Sequence, residues 1–355
     1  MPDARISVAF DMTFPNRNQS GSGAYARSLL AAVQVRDDVQ PLVITAPPQS
    51  GLPGTLRWLA WEAGNSVRSS HASLVHCPAF VAPWNLPVPY VVSVLDISTR
   101  RFPHDHPLEW QVYERRLLPG RARAAALVIA ISEVTRRDVI AEYGVRPDRV
   151  VTIHPGIDQQ FFAAEPPHTT PGPPRLLFPG APVARKNLEL VLHCLAAAPA
   201  GSATANAVLE ISGADEQRFP AHRALITSLG LTDRVKWLGQ LPRDRMPDLM
   251  ATAAAVVYPS FYEGFGFPPL EAMAAGSPVI ASNASCLPEV LDDAAILVDP
   301  TDGRAFAEGL EAVLSKHEFR ARLVAAGQER ARLFTWQRCA EQTVDAYRQA
   351  LEVAS

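Results

Sequence analysis

The feature that most constrains this chain is the order of its apolar runs. Short β-rich segments alternate with helical patterns, the alternation stops once at a proline-rich stretch, and then it resumes. Ile6 to Phe10, Pro41 to Thr45, Leu74 to Cys77, Tyr90 to Leu95, Leu127 to Ile131 and Val150 to Ile153 read as strands, with helical patterns such as Ala24 to Val33 and Glu133 to Tyr143 between several of them. Strands joined through helices predict a parallel sheet covered on both faces. The stretch Glu165-Pro-Pro-His-Thr-Thr-Pro-Gly-Pro-Pro174 can form neither a helix interior nor a central strand, because proline lacks the N–H that both need. It is expected to be a linker over 165–174. Beyond it, strands are expected at Arg175 to Phe178, Val208 to Ile211, Val235 to Leu238, Ala255 to Tyr258 and Val279 to Ala281. Helices are expected from Asn187, through Leu229, over Met246 to Ala253, from Pro269, and from Gly303 onward. The expected fold is α/β: two Rossmann-like doubly wound domains, 1–164 and 175–335, with ligand bound beyond the carboxyl ends of the strands.

At 355 residues the chain is too long for one core. Its net charge of −3 lacks the basic surplus of a nucleic-acid binder. Cys77, Cys194, Cys286 and Cys339 lie far apart and form no CxxC pair, which argues against a disulfide framework or a zinc site and fits a reducing compartment. No His, Asp and Glu set has metal-ligand spacing, so no metal is expected. The start, MPDARISVAF, carries charge and runs straight into a strand, unlike a signal peptide. No apolar run is long enough to span a membrane. The expectation is a cytoplasmic protein, of an oligomeric state the sequence does not encode.

The stretch that carries chemistry runs from Tyr258 to Ile280. A buried strand ends at Pro259, the glycine loop Gly264-Phe265-Gly266 and then Phe267 follow, Pro269 suits a helix start, and Gly276 stops that helix. A loop of small side-chain bulk meeting a helix N-terminus is an anion site. Glu271, expected in the first helical turn, can accept two hydrogen bonds from a ribose diol. Glu263, at the loop entrance, can hold hydroxyls of a sugar attached to the phosphate. An acid in a first turn also commonly serves only to offset the helix dipole, and two glutamates eight apart carry weight only through this setting.

The whole block resembles the signature of the retaining glycosyltransferases of family four, which have the GT-B fold: two such domains facing a central cleft. Other segments agree. They are Leu127-Val-Ile-Ala-Ile-Ser132 with Thr135-Arg-Arg-Asp-Val, Val150-Val-Thr-Ile-His-Pro-Gly-Ile-Asp158, Phe178-Pro-Gly-Ala-Pro-Val-Ala-Arg-Lys-Asn187, Leu287-Pro-Glu-Val290 and Ile296-Leu-Val-Asp-Pro300. The resemblance implies a hexosyltransferase with a nucleotide-sugar donor and no cofactor. Lys186 and Arg185 would meet the donor diphosphate, Glu263 and Glu271 the sugar and ribose, and Gly264 to Phe267 the phosphates. Gly21 and Gly23, in Ser20-Gly-Ser-Gly-Ala-Tyr25, stand where relatives have a glycine turn near the phosphates. The base would lie beside Gly239 and Leu241, contacted by backbone. The style resembles mannosyl- and rhamnosyltransferases and so favours GDP, with UDP or dTDP as alternatives. The last helix, 336–355, is expected to pack back on the first domain.

Two positions depart from the family pattern. Ala181 stands where many relatives carry an arginine. Leu95 stands where they carry a histidine before the aspartate, here Asp96. Leu95 is compatible with a silent homologue that binds nucleotide or a partner, with another side chain such as His76, His104 or His106 moving in, or with a 6-deoxy donor sugar whose methyl group suits leucine. A sugar-nucleotide epimerase or phosphorylase of the same architecture is a further alternative. His76, Asp96 and His104 are the acceptor-side candidates, and the acceptor class is a glycan or lipid-linked glycan. Six arginines between Arg100 and Arg123 outnumber three acids, alongside Trp110, Tyr113 and Leu117. That segment reads equally as a peripheral contact with anionic lipid on the inner face of the membrane or as a solvated basic face. Trp58, Trp61 and Trp84 can stack on sugars or simply pack.

Overall fold

The computed structural model describes residues 5–18, 21–47, 51–164 and 172–354. The chain forms two compact units, one of residues 1–156 with 334–355 and the other of residues 157–333. The expected linker falls largely outside the described residues, at 165–171. The first unit holds β1 (Ile6–Asp11), β2 (Val39–Ile44), β3 (Leu74–Cys77), β4 (Tyr90–Val94), β5 (Leu127–Ala130) and β6 (Val150–Thr152), in the order β2-β1-β3-β4-β5-β6. The second holds β7 (Arg175–Pro179), β8 (Val208–Ser212), β9 (Val235–Gly239), β10 (Ala255–Tyr258), β11 (Val279–Ser282) and β12 (Ile296–Val298), in the order β12-β11-β10-β7-β8-β9. Every pairing within both sheets is parallel. The direction of winding reverses between β1 and β3 in the first unit and between β7 and β10 in the second. These switch points open a crevice at the strands' carboxyl ends.

The expected strands are present, with differences that have local causes. β2 starts at Val39 and carries Pro41 inside it, which is tolerated because β2 is the sheet edge and needs fewer ladder donors. β12, three residues long and paired only with β11, was not among the expected strands. The helical tail is three helices, Gly303–Ser315, His317–Arg332 and Trp336–Ala354. Residues 157–164, read from sequence as the end of the first domain, belong to the second unit. There Phe161 is fully buried and Asp158 pairs with Arg243.

Helix Trp336–Ala354 completes the first unit. It lies along helix Gly21–Gln34 and buries Cys339, Ala340, Val344 and Tyr347. Tyr347 OH meets His76 Nδ1 at 2.7 Å, His76 Nε2 meets Ser93 Oγ at 2.9 Å, and Tyr25 OH stands 3.3 Å from the same serine oxygen. All four side chains are buried, and the imidazole sits 5.1 Å from the Phe10 ring. Burial pushes the His76 pKa down to about 3, so the ring is neutral, with one nitrogen donating and the other accepting. Between the ordinary value of 6.5 and about 3 only the unfolded chain takes up this proton, so stability is lost as pH falls through that window. His76→Gln is expected to lower the unfolding midpoint at pH 7, and the wild-type advantage should shrink between pH 6.5 and 4. An advantage that does not vary with pH would contradict a neutral buried His76.

Candidate active site

The switch point of the second unit gathers most of the residues singled out by sequence. β7 ends at Pro179, and Gly180 (φ 95°) turns the chain into the short turn Ala184–Lys186 ahead of helix Leu188–Ala196. A side chain at Gly180 would put a Cβ 2.6 Å from Lys186 Nζ, so the glycine makes room for the lysine. Lys186 is buried and donates to Pro179 O (3.1 Å) and Tyr258 Oη (3.2 Å), with its ammonium 4.8 Å from the Tyr258 ring centre. Burial pushes its pKa down to about 8, against the pull of Glu263. Asn187, in a left-handed conformation, ties the turn to the loops after β10 and β12 by donating to Pro259 O and Pro300 O.

Glu263 lies in the loop after β10. Its Oε1 accepts from Arg185 Nη1 at 2.6 Å, and Arg185 Nη1 also reaches Tyr262 O at 3.1 Å. Burial alone would raise the Glu263 carboxyl, but Arg185 and Lys186 outweigh it and hold the group below its ordinary range. Its backbone is clamped: Ser285 Oγ accepts from Glu263 N and donates to Glu263 O, which Cys286 Sγ also approaches at 3.2 Å. Lys186, Arg185 and Glu263 therefore converge on one buried charge cluster, two cations around one anion.

The loop-to-helix step differs from expectation. The helix spans Phe267–Ala274 with Gly266 (φ 88°) as its cap, so Glu271 is the fifth helical residue rather than part of the first turn. Pro268 and Pro269 carry no N–H, and Leu270 N bonds Gly266 O. Phe267 alone among the first four helical residues keeps an amide hydrogen for an anion, so this terminus is a narrower anion site than the sequence suggested. Gly264 and Phe265 are buried in the loop. Glu271 is buried and accepts from Arg243 Nη2 at 2.7 Å, and burial still leaves its carboxyl above the usual range despite Arg243. Gly239 ends β9 with φ 67°, its carbonyl accepting from Gly213 N at 2.8 Å, and Leu241 lies half-buried just beyond it.

The first unit arranges its candidates otherwise. Leu95 is buried just after β4, and its carbonyl accepts from Thr135 Oγ1. Asp96 Oδ1 caps the Ser98 N–H at 2.8 Å. His104 is exposed on the turn Pro103–Asp105, whereas His76 is enclosed with both ring nitrogens taken and has no edge left for an acceptor. Gly21 and Gly23 lie within a helix rather than in a turn. At Gly23 a Cβ would stand 1.7 Å from Asn18 O, which gives that glycine a packing reason. Trp58 is buried against Asp11 Oδ2, while Trp61 and Trp84 stay exposed. Among the described residues no group of three or more His, Cys, Asp or Glu side chains converges to hold a metal ion. Sequence reasoning missed Tyr258 as a partner of Lys186, and missed Arg243, whose partners lie 28 and 85 residues away with no local signal.

Comparison with known proteins decides the family. The model of the family Glycosyl transferases group 1 matches residues 161–330, and that of Glycosyltransferase Family 4 matches residues 20–161. The chain is 30% identical over 291 residues to the O-antigen chain mannosyltransferase B of Escherichia coli, an alignment spanning 80% of this chain and 76% of that relative. The chain belongs to the group 1 glycosyltransferases. The fold of this glycosyltransferase is GT-B. The sucrose-phosphate synthase of Thermosynechococcus elongatus superposes with a TM-score of 0.80 at 20% identity, over 99% of this chain and 100% of that one. The Anabaena protein HepE in complex with UDP and glucose superposes with a TM-score of 0.74 at 20% identity, over 97% and 99%.

The charge cluster of this glycosyltransferase makes its own stability test. Removing Glu263 leaves buried Lys186 and half-buried Arg185 without their counter-ion, and breaking a buried pair in this way typically costs about 3–5 kcal/mol. Glu263→Ala is therefore expected to lower the denaturation midpoint clearly, and Glu263→Gln less. Equal midpoints for wild type and Glu263→Ala would show that the cluster does not need its anion.

Proposed function

We propose that this glycosyltransferase is a retaining hexosyltransferase. It takes a hexose or 6-deoxyhexose from a nucleoside diphosphate sugar, GDP in preference to UDP or dTDP, and passes it to a glycan or lipid-linked glycan. The observation that carries the reading is the excess of cation at the second switch point, buried Lys186 and half-buried Arg185 around Glu263. Such a site suits a diphosphate, whose charge grows as the glycosidic bond breaks. Preorganised cations in a water-poor pocket stabilise that charge without reorganising during reaction. The mannosyl relative supports a hexose and the lean toward GDP, while the UDP-bound structural neighbour keeps UDP in play.

In the proposed step, an acceptor hydroxyl attacks the anomeric carbon from the face the diphosphate leaves, and its proton passes to the departing phosphate oxygen. Glu263, held ionised by Arg185, acts as a ligand of sugar hydroxyls rather than as a nucleophile. Glu271 takes the ribose, and Gly264 to Phe267, with the Phe267 amide, line the phosphates. Gly239 and Leu241 lie toward the base. From the first unit, the same reading assigns Leu95 and Asp96 to recognition of the transferred sugar. Exposed Leu108 and Val112, beside Arg115 and Arg116 on helix Leu108–Arg116, support a peripheral contact with anionic lipid. No helix among the described residues is long and apolar enough to cross a membrane.

Three measurements test this reading. GDP, UDP, dTDP and ADP are each added near saturation and the unfolding midpoint recorded. One diphosphate should stabilise by about 2.7 kcal/mol at a hundred times its Kd, and no shift with any would remove the donor site. Lys186 is cationic below about pH 8 and neutral above, so affinity for the preferred diphosphate should fall between pH 7 and 9. Lys186→Met should bind weakly and with no such fall; an unchanged profile would remove Lys186 from the phosphate site. Leu95→His is expected to shift relative rates from GDP-rhamnose toward GDP-mannose, and an unmoved ratio would end the 6-deoxy assignment.

A further inference from the structure

Glu271 has a fixed companion. Arg243, in the turn after β9, donates from Nη2 to Glu271 Oε1 at 2.7 Å and to Asp158 Oδ2 at 2.8 Å, and from Nε to the same Asp158 oxygen at 3.2 Å. The guanidinium lies 5.4 Å from the centre of the Phe161 ring, a buried residue three beyond Asp158. One edge of the fork is thus tied down by a carboxylate and a ring. The other edge is not, since Nη1 makes no hydrogen bond to the described residues, and the Arg243 side chain is 46% exposed where that of Glu271 is 6%. Glu271 in turn spends one oxygen on Arg243, and Oε2 accepts no hydrogen bond from the described residues.

An ionised carboxylate only accepts and a guanidinium only donates, whereas a hydroxyl does both. Side by side, the two groups therefore match one chemistry better than either does alone: neighbouring hydroxyls that give their protons to the acid and take N–H bonds on their oxygens. We propose that Arg243 is a specificity-determining residue for the donor, forming with Glu271 a two-sided clamp for the vicinal hydroxyls of the ribose, Nη1 donating to a hydroxyl oxygen whose own proton goes to Glu271. The inference rests on the donor reading of the second unit. Asp158 is the anchor that keeps the fork in place. Lysine cannot replace arginine here, because a point charge reaching Glu271 leaves no second, aligned donor for the sugar.

The test is a comparison of ligands as much as of variants. Binding of GDP and 2′-deoxy-GDP, and of UDP and 2′-deoxy-UDP, is measured by calorimetry on the full chain for wild type, Arg243→Met and Arg243→Lys. The wild type should prefer the ribonucleotide by roughly tenfold or more, the scale of a hydrogen bond to a charged group. Arg243→Met should lose most of that preference, and Arg243→Lys should keep only part of it. The two charged groups facing Glu271 are Arg243 and Asp158. Without Arg243 the acid protonates at higher pH, so ribonucleotide affinity of Arg243→Met should begin to fall at a higher pH than that of wild type as the solution is acidified. A purely structural role moves neither the ribose preference nor this profile. If Arg243→Met does not fold, the reduced preference of Arg243→Lys decides. A variant that binds nucleotide with the wild-type ribose preference overturns the clamp and leaves the donor site standing, and failure of wild type to bind either ribonucleotide overturns both.

Discussion

An ammonium group taken out of water must be surrounded by oxygen and by negative charge, and the second unit is arranged to do this for Lys186. Pro179 O and Tyr258 Oη receive its hydrogens, the Tyr258 ring lies beneath it, and Glu263 supplies the charge. The requirement reaches outward. Gly180 must lack a side chain so that Nζ has space, and Gly213 must do the same, because its Cβ would fall 2.9 Å from Gly180 Cα. The loop after β10 must hold Glu263 still, which Ser285 and Cys286 do through its backbone. Three strand ends and two loops are thus committed to one cation.

The winding of the sheet explains why this happens there. In the order β12-β11-β10-β7-β8-β9 the connections leaving β7 and β10 run to opposite sides, so no segment closes over the ends of those neighbours. Lys186 follows β7 and Glu263 follows β10, so residues 77 apart in sequence reach one crevice because the strands before them are hydrogen-bonded. The same topology in the first unit produces a different result. Asp11, the last residue of β1, is drawn into bonds with Thr13 and Trp58, and the strand-borne His76 is spent on Tyr347 and Ser93.

What the sequence revealed follows the range of each interaction. Parallel strands announce themselves as local runs of branched apolar residues, and eleven of the twelve could be placed, β12 being the exception. The glycine loop, the helix that follows it and the two glutamates, Glu263 in the loop and Glu271 in the helix, were visible because their spacing is fixed along a short stretch of chain. The helix start was misplaced by two residues, since two prolines in succession suit either register. Arg243 and Tyr258 left no trace because their partners come from other elements. His76 looked available because its enclosing partner, Tyr347, lies 271 residues further on. Alternation says that a residue sits on a strand, but not what will be laid across it.

That distance has a consequence for the order in which the chain acquires its shape. The first unit is encoded in two pieces, with the whole second unit synthesised between them. While residues 157–333 emerge from the ribosome, the groove along helix Gly21–Gln34 lacks the surface that Tyr347, Val344 and Cys339 will later fill, and His76 lacks one of its two partners. Vectorial synthesis usually lets the leading domain finish first. Here the trailing unit can close on its own sequence, while the leading one waits for residues 334–355.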